Sequence, residues 1–63
     1  MKEKLQENWN ELTVTLDSSV EDFRKALDGN KSAGVRARAG LRELKKIAHS
    51  LVKELIEYEK ANK

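Results

Sequence analysis

The sequence predicts an all-α fold, an antiparallel two-helix hairpin that dimerises into a four-helix bundle. Three observations predict it. Apolar residues recur at alternating steps of four and three along both halves of the chain. A single Asp28-Gly29-Asn30 break separates the halves, and there is no proline anywhere. Lastly, the two apolar stripes are wider than one hairpin can cover.

The first helix is expected over about residues 2–28. Leu5, Trp9, Leu12, Leu16, Ser19, Phe23 and Ala26 form a heptad stripe with one polar and one small member. Val20 and Leu27 widen the stripe, and Val14 falls opposite it. Thr13, Val14 and Thr15 are β-branched and lower helix propensity locally, but the longer periodicity overrides three weak residues. Ser19 is expected to bond back to its own helix.

The turn falls at residues 29–30. Gly29 can take the left-handed conformation that closes a helix. Asn30 can cap the next one by accepting from its free amides, with Ser32 the alternative cap. So short a connection forces the helices antiparallel.

The second helix is expected over about residues 31–61. Ala37, Leu41, Leu44, Ala48, Leu51, Leu55 and Tyr58 repeat the heptad, with Ile47 and Val52 flanking it. Gly34 and Gly40 each cost about 1 kcal/mol relative to alanine inside a helix. With Ala33, Ala37 and Ala48 they read as places of close helix approach. Each helix should be roughly 35–45 Å long. The whole chain, residues 1–63, reads as one hairpin domain.

A chain of 63 residues has little core of its own. Without cysteine it has no disulfide or thiolate zinc site to compensate, and one histidine builds no metal cluster. Self-association remains. Trp9, Phe23, Ile47 and Val52 cannot all be covered within one hairpin, and each large side chain buried contributes roughly 1.5–3 kcal/mol. A twofold homodimer recovers that burial, with Ser19, Ala26, Ala37 and Ala48 allowing the hairpins to meet closely.

Charge is distributed unevenly. Residues 1–30 carry four basic and seven acidic groups, whereas residues 31–63 carry nine basic and four acidic. In the first helix Glu21–Lys25 is a favourable pair, and the acids otherwise read as a solvated face. In the second, Lys31, Arg38, Arg42, Lys45, Lys46, His49, Lys53, Lys60 and Lys63 fall within one arc of roughly 100° opposite the leucine stripe. Arg36 lies to the side, near Glu43 in angle, and His49 reads as a solvated member of the arc. Lys31 and Arg38 oppose the helix dipole, which favours acids near a helix start. Such a row suits the phosphates of double-stranded DNA. It has no amide side chain and no flanking aromatic, so it would contact the backbone without reading bases. The expected DNA-binding residues are Lys31, Arg36, Arg38, Arg42, Lys45, Lys46 and Lys53.

The run Gly29-Asn30-Lys31-Ser32-Ala33-Gly34-Val35-Arg36-Ala37-Arg38, followed by Leu41-Arg42-Glu43-Leu44-Lys45-Lys46-Ile47-Ala48, resembles the globular part of the bacterial histone H1-like protein Hc1 family. Leu51-Val52-Lys53-Glu54-Leu55-Ile56 extends the likeness over nearly the whole chain. The resemblance implies DNA association and a nucleoid role in compacting a bacterial chromosome. It assigns basic positions to Arg36, Arg38, Lys45, Lys46 and Lys53. Chlamydial members carry a long lysine- and alanine-rich tail, which this sequence lacks.

Other functions are less well supported. An enzyme would need a positioned acid, base or nucleophile in a cleft, and neither a nucleophile motif nor a phosphate loop is present. No cofactor and no small-molecule substrate is expected. No stretch reaches the roughly 18 apolar residues of a membrane span. A cytoplasmic, nucleoid-associated location is expected, with no membrane partner. The competing reading is a dimeric helical bundle that serves protein–protein interaction without nucleic acid. It predicts a leftover apolar groove joining Val35 and Ile56 to Trp9 or Tyr58.

Overall fold

A computed structural model describes residues 2–62. Helix α1 runs Lys2–Leu27 and helix α2 runs Lys31–Ala61, packed against each other as an antiparallel hairpin. At the turn, Gly29 has φ of 95°. An L side chain rarely adopts that angle, and glycine does so without steric cost. The amides of Gly29 and Asn30 bond back to the carbonyls of Ala26 and Lys25, closing α1. Asn30 then opens α2, its side chain accepting from the Ala33 amide at 3.0 Å.

The seam between the helices is not centred where the apolar stripes are centred. On α2 it follows Ala33, Ala37, Gly40, Leu44, Ile47, Leu51, Glu54 and Tyr58, all buried or half-buried. On α1 it follows Leu5, Asn8, Leu12, Thr15, Ser19, Asp22 and Ala26. Both lines keep heptad spacing, but each is turned about its helix away from the most apolar residues. Ile47, expected at a flank, is therefore central and only 8% exposed. Ser19, Ala26 and Ala37, expected where two hairpins meet, instead let one chain's helices approach each other. Ser19 donates to the Thr15 carbonyl at 2.8 Å. A Cβ at Gly40 would collide with Ser19 Oγ, so glycine is needed at this crossing. Gly34 has only ordinary contacts.

Polar pairs fix one edge of the seam at both ends. Near the turn, Arg36 Nε meets Asp22 Oδ1 at 3.0 Å. Near the open end, Asn8 Nδ2 donates to Glu54 Oε1, and Lys4 Nζ lies 3.9 Å from Glu54 Oε2. A one-turn slip of the helices would break all three contacts.

Little is buried by this packing. Only Ala33, Ala37, Ile47 and Ser19 count as buried among the described residues, and no large side chain is fully enclosed. Trp9, Leu16, Val20, Phe23, Leu27, Leu41, Val52 and Leu55 are each about half exposed or more. A compact monomer of 7.2 kDa exposes about 4,100 Å². This chain exposes 5179 Å². The elongated shape and the half-exposed large apolar side chains both contribute to the excess.

A candidate nucleic-acid interface

The rotation of the seam gives the hairpin two unlike faces. With about 100° per residue, Trp9, Leu16, Val20, Phe23 and Leu27 of α1 lie to one side of the seam. Leu41, Ala48, Val52 and Leu55 of α2 lie to the same side. At the open end this side holds a groove of about 560 Å³, lined by Leu5, Trp9, Leu12, Ala48, Leu51, Val52, Leu55 and Tyr58 together with Lys2 and Gln6. The opposite face is polar. It holds the Arg36–Asp22 and Lys4–Glu54 pairs and a second groove in which Glu11, Glu43 and Lys46 converge.

Cations of α2 occupy its outer back, pointing away from α1. Lys31, Arg38, Arg42 and Lys45 are all exposed there, whereas Lys46 and Lys53, also exposed, line the polar groove with Glu11, Glu43 and Glu54. Among the described residues, none of these six forms an ion pair within the chain. From Lys31 to Lys60 the row extends about 43 Å at 1.5 Å per residue, slightly more than one helical turn of B-form DNA. The first turn of α2 contains no acid. Its positive dipole end and Lys31 therefore add to each other rather than cancel.

Arg36 is placed differently from the other six expected residues. It lies across the seam from Asp22, and the two charges are paired. Its angular neighbour Glu43 does not take it. Arg24, rather than Lys25, pairs with Glu21, at 3.3 Å. Neither α1 nor α2 alone signals the Arg36–Asp22 pair. The short turn does signal it, because it sets residue i of α1 opposite roughly residue 58 − i of α2. The apolar groove has a weaker signal, namely stripes too wide for one seam. Val35 and Ile56 are exposed but do not line that groove.

Comparison with known families assigns the chain. The model of the histone H1-like protein Hc1 family matches residues 6–61, which takes in α1 from Gln6 onward, the turn, α2 and the basic row from Lys31 to Lys60. The chain belongs to the histone H1-like Hc1 family. That family is one of DNA-binding structural proteins rather than enzymes. No curated protein and no solved structure matches the chain. Seen as an Hc1 member, the hairpin keeps Lys31, Arg38, Arg42 and Lys45 on the side of α2 turned away from the acidic helix, with Lys46 and Lys53 bordering the polar groove. Among its described residues no cluster of histidines and carboxylates could hold a metal ion, and no helix is long and apolar enough to cross a membrane.

Proposed function

We propose that this Hc1-family hairpin binds the phosphate backbone of double-stranded DNA through the outer back of α2, without reading sequence, and so helps to compact a bacterial nucleoid in the cytoplasm. The observation that carries the reading is the row of unpaired cations, Lys31, Arg38, Arg42, Lys45, Lys46 and Lys53, on a helix whose acids are turned aside. Duplex DNA presents one negative charge per about 1.7 Å of axis, so a row of this length meets phosphates wherever it lands. Family membership supports the same ligand. Homodimerisation through the apolar face belongs to the proposal, because it covers the large side chains that the hairpin leaves half exposed and puts two basic rows on one particle.

The experiment is a titration of a labelled duplex of arbitrary sequence at two salt concentrations. About four phosphate contacts per protomer give a log–log salt slope near −4. Changing Arg38, Arg42 and Lys45 to glutamine should lower affinity at least tenfold at low salt and flatten the slope. Arg36→Gln should have a smaller effect than Arg42→Gln, since Asp22 already engages Arg36. Absence of wild-type binding at low salt would refute DNA as the ligand. Unchanged binding by the triple variant would refute the residue assignment.

A further inference from the structure

The apolar face determines how a second copy can sit on it. We infer that two hairpins stack with α1 of each lying over α2 of the other, so that their basic rows face outward on opposite sides and hold two duplexes together. This inference rests on the DNA-backbone reading above and specifies the arrangement that reading leaves open.

Area identifies a second copy as the occupant. The eight large apolar side chains of this face are each about half exposed or more, and the surface they leave in water is on the order of the roughly 800 Å² that each partner covers in a stable interface. The face also has two complementary halves. Bulk is concentrated on α1, in Trp9, Leu16 and Phe23, while α2 offers shorter side chains at Gly34 and Ala48. In-chain contacts such as Ser19 with Gly40 and Asp22 with Arg36 show which levels of the two helices coincide.

A twofold axis along the hairpin preserves those levels. It brings the partner copy's Trp9 over Ala48 and Val52, and its Phe23 between Gly34 and Leu41. Trp9 and Phe23 then each have one small residue opposite them, Ala48 and Gly34 respectively, which leaves room for close packing. The same axis brings Asp17 of one copy to the side of Lys45 of the other, so the acidic helix edge borders the basic one. The other twofold arrangement lays α1 on α1 and α2 on α2. It opposes Trp9 to Phe23 with no small residue between them, and it brings Lys45 against its own counterpart. Like charges in such a position repel. All neighbouring helices are antiparallel in both arrangements, so size and charge decide between them.

The consequence concerns DNA. With α1 over α2, the two α2 helices occupy diagonal corners of the bundle, and their outer backs point in opposite directions. One duplex cannot reach both rows, but two duplexes can each take one. The other arrangement would put both rows on one side and coat a single duplex.

The chain has no cysteine, so introduced thiols report cleanly. Val20→Cys and Leu41→Cys proteins are mixed and oxidised, and in parallel Leu16→Cys is oxidised alone. The stacking predicts a Val20–Leu41 disulfide between chains and little Leu16–Leu16 product. The reverse pattern would overturn it, as would sedimentation as a monomer at every concentration. Bridging is read by capture of a free labelled duplex on a second, immobilised duplex. Wild type should capture it, and Phe23→Glu should capture at least tenfold less while still binding single duplexes. Cross-linking as expected with DNA bound but no capture would overturn the bridging. If no duplex is bound at all, the DNA reading fails instead, and the disulfide pattern still tests the stacking.

Discussion

Single residues show why the hairpin closes where it does. Gly40 and Ser19 lie against each other across the seam, and the serine hydroxyl fills the space a larger residue would need while donating to the Thr15 carbonyl. Alanine at Gly40 gains about 1 kcal/mol of helix propensity. It also forces Ser19 to give up its bond or the helices to part, and overpacking costs about 1–3 kcal/mol. We therefore expect Gly40→Ala to be destabilised by about 1 kcal/mol, measured by urea unfolding. Ser19→Gly in the same background should recover part of that loss, because it removes the opposing atoms. An additive pair of effects would show that the two residues do not share this contact. The need for a small residue at position 40 was legible in the sequence. Its partner was not, because heptad spacing alone does not tell which of two adjacent lines becomes the seam.

At the scale of elements, the two helices differ in how the dipole is treated. The first turn of α1 carries Glu3, whose carboxyl is held below the usual carboxylate range, first by a backbone hydrogen bond. The first turn of α2 carries no acid and begins with Lys31. An acid near a helix start contributes about 0.3–1 kcal/mol, and a cation there opposes the dipole. Lys31→Glu should thus raise stability by about 0.5 kcal/mol and weaken duplex binding several-fold. Stability from chemical unfolding and affinity from anisotropy should move in opposite directions. If both fall, Lys31 has a structural role instead. The helices, their turn and the Asn30 cap were readable because each depends on local spacing and one or two residues. The seam was read less well. Heptad spacing places Trp9, Leu16 and Phe23 in the apolar stripe, whereas the seam runs through Asn8, Thr15 and Asp22. Polar partners on the facing helix make such residues tolerable at the seam, and a single helix's pattern does not contain its partners.

At the scale of the whole molecule, the proposed dimer would make stability a matter of concentration. A hairpin whose large apolar side chains stay half in water lacks the burial that usually sustains a fold of this size. Burying them in an association that exists only for the folded chain adds RT ln(1 + [L]/Kd) to stability, about 2.7 kcal/mol when free partner is at 100 Kd. The melting temperature should therefore climb as protein concentration is raised. Trp9 gives an independent signal. It is 54% exposed in the hairpin and lies in the middle of the groove wall. Its emission should shift to shorter wavelength over the concentration range in which the melting temperature climbs. Phe23→Glu, on the same face but far from Trp9 along α1, should hold the emission at its dilute-solution wavelength throughout and flatten the concentration dependence. Coincidence of the two transitions ties stability to that face. A melting temperature independent of concentration, with Trp9 emission constant, would mean that the hairpin is stable alone with its apolar face in water.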